Sequence, residues 1–182
     1  GEVQGQPYYT MRLVDGSSLD DQLENGSLDT SQAARFIAQT ARGVEAAHSL
    51  GILHRDIKPH NILVDEATDR AVLTDFGLAK RVEVDSDLTA TGMVIGTPCY
   101  MPPEQAAGEL NQLGPASDVY SLGATLFHIL TGQPPLRGAE VGEVLEKVKR
   151  GDFVRPSQLR SDTPKPLEAI CLRAMRMLPA DR

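Results

Sequence analysis

An apolar face that recurs at steps of three and four residues is the feature that most limits how this chain can fold. After Asp29, six side chains lie on one side of a helical projection: Ala33, Phe36, Ile37, Ala41, Val44 and His48. This spacing is typical of an amphipathic helix. It predicts a long helix that begins after Asp29 or Thr30 and ends at Gly51.

Three further helical patterns follow, over residues 117–130, 141–149 and 167–177, and each is bounded by glycine or proline. Hydrophobic residues make up 41% of the chain, but only 4% of it is aromatic and tryptophan is absent. The core is therefore expected to consist of aliphatic side chains packed between helices. A length of 182 residues suits one domain with a real core.

Strand patterns occur in two places. Residues 7–14 are rich in aromatic and β-branched types, and they predict a strand that turns at Asp15-Gly16 and has no partner strand upstream. Two short apolar runs, residues 62–64 and 71–73, are separated by a mostly polar stretch and predict a small hairpin. A short helix is expected from Ser18 to about residue 24, because Ser18 and the acid three residues later resemble a capping box.

Charge and cysteine usage exclude several classes of protein. The formal net charge is −7 and no basic stripe is present, which argues against nucleic acid as a partner. Cys99 and Cys171 belong to no CxxC pair, so the sequence predicts neither a disulfide framework nor a zinc site, and a reduced, cytoplasmic setting is expected. The longest apolar stretch, residues 122–130, is too short to cross a bilayer, and we expect no membrane segment in this chain.

The chemistry is concentrated in two motifs, HRDIKPHN at residues 54–61 and DFG at residues 75–77. The hairpin predicted between them would bring the oxygen-bearing side chains of Asp56, Asn61 and Asp75 to one edge. Carboxylate and amide oxygens are the ligands that a hard cation such as Mg²⁺ prefers. The pattern therefore indicates a site for a hard divalent cation at this edge of the hairpin.

In this order and separation, the two motifs resemble the catalytic loop and the metal-binding triplet of protein kinases. The resemblance implies that Asp56 accepts the proton of the substrate hydroxyl and that Lys58 balances charge on the transferred phosphoryl group. Asn61 and Asp75 would bind magnesium. A lysine two residues after the catalytic aspartate is the serine/threonine pattern of this family.

Three downstream segments resemble further parts of the family. Residues 96–104, GTPCYMPPE, resemble the end of an activation segment whose Ala-Pro-Glu triplet here reads Pro-Pro-Glu. The resemblance implies that Glu104 pairs with Arg182, and that Asp118 holds the backbone of the catalytic loop. The alternatives are a surface salt bridge and an ordinary N-terminal helix residue. The GQPP turn at residues 132–135 is also common in the family.

The activation segment supplies the regulatory candidates. By resemblance, Thr97 contacts the catalytic aspartate and lysine. Thr89 and Thr91 are candidate phosphorylation sites, as is Ser86, with Arg55 available to receive the added charge. The alternative that these hydroxyls are merely solvated stays open.

Two residues of the motifs have a structural role in the family. His54 and Phe76, which precedes Gly77, would stack in the column that links the two lobes of a kinase. The other three histidines, His48, His60 and His128, lack the spacing of metal ligands and are expected to be structural or exposed.

The resemblance also assigns adenine contacts near the start of the chain. Met11 matches the gatekeeper position, and the next three residues, which end at Val14, match the hinge whose backbone binds adenine. Leu63 would pack beneath the base. The alternative for each of these side chains is a place in the core of a strand.

The implied fold class is α+β, a protein-kinase-like and mainly helical C-terminal lobe with a short β-hairpin and one remnant strand of the N-terminal lobe. Residues 1–16 would be the end of the N-lobe, with its last strand and hinge. Residues 17–182 would be the C-lobe, truncated before its final helix. No Gly-rich loop or strand lysine is found in the sequence, so the chain alone is expected to bind ATP weakly and to transfer phosphate poorly.

The implied function is that of a serine/threonine protein kinase, which uses ATP and Mg²⁺ to phosphorylate Ser and Thr hydroxyls of proteins. The alternative is a non-catalytic regulatory or binding module, because half of the nucleotide clamp is absent from the sequence. Phosphorylation of small molecules is less favoured, since the long threonine-containing segment that ends in Pro-Pro-Glu suits protein substrates.

Overall fold

A computed structural model describes residues 1–3, 6–8, 10–26, 28–76 and 98–182 of the chain. Within these residues the helices are α1 (Leu19–Asn25), α2 (Thr30–Ser49), α3 (Pro103–Ala106), α4 (Pro115–Thr131), α5 (Val141–Arg150), α6 (Pro156–Leu159) and α7 (Lys165–Ala174). The strands are β1 (Glu2–Val3), β2 (Gln6–Pro7), β3 (Gly16–Ser18), β4 (Ile62–Asp65) and β5 (Arg70–Leu73). Short 3₁₀ turns cover Pro59–Asn61, Pro98–Tyr100, Leu110–Gln112 and Pro179–Asp181. This mainly helical α+β architecture agrees with the predicted fold class.

Helix α4 is the most buried of the long helices, and it contacts α2, α6 and α7. Tyr120, Leu126 and Phe127 on this helix are fully shielded from solvent. The helix begins at a proline, which suits the first turn because the backbone N–H groups of that turn have no acceptor within the helix. It ends at Gly132, whose φ of 73° is the left-handed conformation that terminates many helices.

Helix α2 agrees closely with its prediction. Asp29 caps it, accepting a hydrogen bond from the backbone of Gln32 while the Gln32 side chain binds back to Asp29. The predicted apolar face points inward: Phe36 and Val44 are buried, together with Ala33. The apolar residues recur with the 3.6-residue period of a helix, so a helix places them all on the face that packs against the core.

The hairpin β4–β5 forms as predicted and gains a third strand that the sequence pattern did not indicate. Strands β3, β4 and β5 are antiparallel in that order, with Leu63 opposite both Ser18 and Val72. Gly16 lies in strand β3, whereas the sequence pattern predicts a turn at Asp15-Gly16. A Cβ atom at Gly16 would lie 1.9 Å from the carbonyl oxygen of Val64, so the close approach of the two strands requires glycine.

The predicted strand over residues 7–14 is wrong. The strand at this point covers only Gln6–Pro7, and it pairs with Glu2–Val3 upstream, where no partner was expected. Residues 10–15 have no strand structure, and Leu13 is 89% exposed. A β-rich composition forms a strand only where a neighbour accepts its backbone hydrogen bonds.

The remaining helix predictions differ only at their ends. Helix α7 ends at Ala174, three residues before the predicted end at residue 177. Helices α3 and α6 were not predicted, because four residues are too few to show a period.

Among the described residues, none of the helices combines the length and the apolar character that a membrane span needs.

Gly123 is a point of close packing between α4 and the end of α7. A Cβ atom there would lie 2.7 Å from Cβ of Ala174 and 2.9 Å from Cγ of Met175. We predict that Gly123→Ala lowers the free energy of unfolding by about 1–3 kcal/mol through overpacking. Chemical denaturation of both proteins measures this difference.

Gly43 in α2 is the matched control, since a Cβ atom there meets nothing within 4 Å. Gly43→Ala should leave stability unchanged or raise it by up to about 1 kcal/mol, because alanine is the better helix former. Equal stability changes in the two variants would contradict the tight α4–α7 contact.

Candidate active site

The catalytic-loop residues surround the carboxylate of Asp56. Lys58 Nζ donates to Asp56 Oδ2 at 3.0 Å, and Asn61 Nδ2 donates to the same oxygen at 3.1 Å. Asn61 Nδ2 also donates to the backbone carbonyl of Asp56 at 2.8 Å. The side chains of Asp56 and Lys58 are only 25% and 16% exposed, so the ion pair is partly shielded from water.

The hairpin places Asp75 beside this loop, as the sequence predicts. Asn61 immediately precedes β4, and Thr74 immediately follows β5. The N–H and hydroxyl of Thr74 both donate to the carbonyl of Asn61, at 2.9 and 3.2 Å. Asp75 is the next residue, so it lies at the same end of the hairpin as Asn61.

His54 links the loop to the end of β5. Its Nε2 atom lies 2.9 Å from the carbonyl of Thr74, and its Nδ1 atom accepts the N–H of Asp56 at 3.2 Å. The ring is therefore neutral with its proton on Nε2. Burial lowers the pKa of His54, which favours this neutral form. The ring centroid lies 4.7 Å from that of Phe76, so the two predicted neighbours are in contact.

Asp118 holds the backbone of the catalytic loop, as the resemblance implies. Its Oδ2 and Oδ1 atoms accept the N–H groups of His54 and Arg55, each at 2.8 Å. The carboxylate is almost fully buried at the first turn of α4. His48 adds a third contact, with Nε2 at 2.7 Å from Oδ2 of Asp118. This role of His48 was not predicted, since a single histidine on a helix face gives no signal of its partner.

Two residues beside the site have left-handed backbone. Arg55 has φ of 65° and Asp75 has φ of 58°. Residues other than glycine adopt such angles at a cost of about 1–3 kcal/mol, and strained residues of this kind cluster at functional sites. The contacts of Asp118 and of the hairpin hold this backbone in place.

Glu104 and Arg182 form the ion pair that the sequence predicts. The Arg182 side chain donates to both carboxylate oxygens, at 2.6 and 2.8 Å, and both side chains are at most 2% exposed. The other donors of the guanidinium bind the backbone carbonyls of Ala116, Arg176 and Met177. Ser117 also donates to Glu104 at 2.8 Å. The pair is thus buried and fully hydrogen-bonded, and the surface alternative is excluded.

Tyr100 is a further anchor that sequence reasoning did not identify. Its hydroxyl lies 2.7 Å from Nδ1 of His128, and its carbonyl accepts the hydroxyl of Ser121 at 2.9 Å. Burial raises the pKa of Tyr100 and lowers that of His128, so a protonated phenol donates to a neutral imidazole. These bonds fix the segment before Pro-Pro-Glu to α4.

The candidate adenine contacts are less closely arranged. Met11 is 52% exposed, whereas Val14 and Leu63 are half-buried. Arg12 links the segment of residues 11–14 to strand β4, since its Nη2 atom lies 2.9 Å from Oδ2 of Asp65. The structure therefore anchors this segment but does not bury Met11.

Several predicted residues lie outside the described part of the chain: Gly77, Ser86, Thr89, Thr91 and Thr97. Their roles stay predictions.

Comparison with known proteins identifies the family of the chain. The family model for the protein kinase domain matches residues 3–178, and the chain belongs to that family. Its relatives include the serine/threonine-protein kinase PknH of Mycobacterium bovis, 39% identical over all of this chain and 30% of the relative. PknB of Mycobacterium leprae is 38% identical over 97% of this chain and 28% of the relative. The chain thus spans less than a third of the length of these relatives.

A solved structure shares the fold. The crystal structure of Rad53 residues 1–466 in complex with AMP-PNP superposes with a TM-score of 0.76 and 25% sequence identity. The match covers 94% of this chain and 42% of that one.

Replacing Arg182 should be costly because Glu104 would be left buried without its partner. We predict that Arg182→Met lowers the free energy of unfolding by about 3–5 kcal/mol. As a control, Arg160→Met breaks an exposed pair with Asp162 and should cost less than about 1 kcal/mol. Similar losses in the two variants would show that the buried pair contributes no more than a surface pair.

The same pair predicts a pH dependence. Burial raises the pKa of Glu104, but hydrogen bonds from Arg182 and Ser117 outweigh it and hold the pKa below the ordinary 4.5. The pair therefore stabilises the fold above pH 4.5, and this stabilisation is lost as the pH falls below that value. Unfolding measured against pH should show a steeper acid loss in the wild type than in Glu104→Gln. Parallel curves would contradict the lowered pKa.

Proposed function

We propose that the protein containing this chain is a serine/threonine protein kinase that transfers the γ-phosphoryl group of ATP to Ser and Thr hydroxyls of proteins. The observation that carries the proposal is the carboxylate of Asp56, which Lys58 and Asn61 orient at the end of the hairpin that presents Asp75. Within this proposal, residues 17–182 form the C-terminal lobe, and residues 1–16 form the end of the N-terminal lobe and the hinge.

Asp56 is the proposed base. In the reaction, the substrate hydroxyl oxygen forms a bond to the γ-phosphorus, and the bond from that phosphorus to the bridging oxygen of ADP breaks. The hydroxyl proton passes to Asp56. Lys58, which already contacts this carboxylate, would balance the negative charge of the phosphoryl oxygens as they move.

The donors present fit magnesium. Asn61 uses its amide nitrogen on Asp56, so the amide oxygen is the atom it can offer a cation. Asp75 contributes a carboxylate, and hard oxygen donors of this kind suit Mg²⁺. Members of the family generally bind ATP with Mg²⁺, which neutralises charge on the phosphates when bound. We assign the cation to Asn61 and Asp75.

A purely regulatory module is the weaker alternative. Such a module has no chemical need for a base, a lysine and two cation ligands at the end of one hairpin.

The kinase proposal includes further roles. Met11, Val14 and Leu63 would contact adenine. Thr97 would contact Asp56 and Lys58, and Thr89 or Thr91 would be phosphorylation sites.

Replacing Asp56 tests the function directly. We predict that Asp56→Asn in the full-length protein lowers kcat by about 10²–10⁴-fold, because the amide cannot accept the proton of the substrate hydroxyl. Transfer of labelled γ-phosphate from ATP to a protein rich in Ser and Thr measures this, with ATP binding measured separately by calorimetry. ATP binding should persist in the variant.

Asp152→Asn is the control, because Asp152 is an exposed acid on the loop that follows α5. Its rate should equal that of the wild type, and chelation of Mg²⁺ should stop transfer in both. Equal rates in Asp56→Asn and wild type would contradict the assignment of the base. Absence of any transfer by the wild type would contradict the kinase proposal.

A further inference from the structure

The segment of residues 11–14, which the kinase proposal assigns to the hinge, gains little from packing. Met11 and Leu13 are 52% and 89% exposed, and Val14 is half-buried. The segment has no strand structure, so no neighbouring strand fixes its backbone. Its position therefore depends on polar contacts.

One of these contacts is the ion pair between Arg12 and Asp65, at the end of β4. Asp65 is buried, and its backbone pairs with Gly16 in β3 and with Arg70 in β5. Its Oδ1 atom accepts the N–H of Thr68 at 3.0 Å, while its Oδ2 atom lies 2.9 Å from Nη2 of Arg12. Hydrogen bonds from Thr68, together with the charge of Arg12, outweigh burial and hold the pKa of Asp65 below its ordinary value. Arg12 thus contacts a fixed and ionised carboxylate.

A second contact holds the other end of the segment. The N–H of Glu66 donates to the carbonyl of Asp15 at 3.0 Å. Arg12 and Asp15 are therefore bound to two consecutive residues at the end of β4. The two residues between them are held at both ends, and loss of the ion pair would release one end.

The ion pair also links the hinge to the proposed floor of the adenine site. Leu63 and Asp65 are two residues apart in β4, and side chains at this spacing lie on the same face of a strand. Adenine would lie between the backbone of the hinge and Leu63. The contact of Arg12 with Asp65 therefore joins the hinge to the strand face that carries this floor.

We propose that Arg12 is a positioning residue for the adenine nucleotide, because its ion pair with Asp65 orders the hinge before the nucleotide binds. This inference rests on the proposed kinase function, which is what assigns adenine to the hinge. The Arg12 side chain is 73% exposed, and such a pair contributes little to global stability. Its effect lies in nucleotide binding, since a segment that is already ordered loses less conformational freedom when it binds a ligand.

Three substitutions isolate the ion pair. Arg12→Met removes the charge but keeps a long side chain, whereas Arg12→Lys keeps the charge. Asp65→Asn removes the partner charge but retains an oxygen that can accept the N–H of Thr68. As a control, Arg35→Met breaks an exposed pair with Asp69, at the turn between β4 and β5.

The first readout is steady-state kinetics of the full-length protein with ATP as the varied substrate. Arg12→Met should raise the KM for ATP by about three- to fivefold and leave kcat within about twofold of the wild type, because the ordering cost falls on binding and not on transfer. Asp65→Asn should raise the KM as well, but it should have no further effect in the Arg12→Met background, since the pair is already lost there. Arg12→Lys and Arg35→Met should resemble the wild type.

Two results of these kinetics would overturn the proposal. One is an unchanged KM for ATP in Arg12→Met. The other is an effect of Asp65→Asn that is equally large with and without Arg12.

The second readout does not depend on activity. Order parameters from NMR relaxation of the Leu13 and Val14 amides report the fast motion of the hinge. They should be lower in Arg12→Met than in the wild type, Arg12→Lys and Arg35→Met. Unchanged order parameters in Arg12→Met would overturn the positioning role. If the wild type neither binds ATP nor transfers phosphate, the kinase proposal fails, and this measurement still decides whether Arg12 orders the segment.

Discussion

The buried carboxylate of Asp118 is the contact on which the arrangement of the catalytic loop depends. It joins helix α4 to the loop at His54 and Arg55 and to the last turn of α2, which both lie more than sixty residues earlier in the chain. In a site of low dielectric constant such hydrogen bonds are strong, and an unpaired charge there is costly. The carboxylate is therefore stable only when the loop has the conformation that the site requires.

The first turn of α4 anchors the other side of the site as well. Ser117 binds Glu104, and the carbonyl of Ala116 binds Arg182. Together with Asp118, these three consecutive residues hold both the catalytic loop and the buried ion pair. Such a turn can serve as a reference point only if its helix is rigid. The complete burial of α4 residues such as Tyr120 and Phe127, and the close approach of α7 at Gly123, supply that rigidity.

The sequence predicts best what local patterns determine. The long helix α2 has a strong apolar period and a capping box at Asp29, and the hairpin β4–β5 has two apolar runs around a polar turn; both are present. Family motifs extend this to pairs far apart in the chain, such as Glu104 and Arg182, because a motif carries information about its partner that periodicity lacks.

Features that depend on distant neighbours could not be predicted. Strand β3 exists because Gly16 can approach β4 closely, and the strand predicted over residues 7–14 lacks the neighbour it would need. The bonds of His48 to Asp118 and of Tyr100 to His128 join single polar residues that no motif connects. Their function becomes visible only when the fold brings the partners together.

The central claim is that Asp56, Lys58, Asn61 and Asp75 meet around a magnesium nucleotide. A crystal structure of the complete protein with Mg²⁺ and a non-hydrolysable ATP analogue tests it most directly. We expect the amide oxygen of Asn61 and the carboxylate of Asp75 at about 2.1 Å from the metal, the distance typical of Mg²⁺ ligands. A metal bound by other side chains, with Asn61 and Asp75 turned away from it, would contradict the claim.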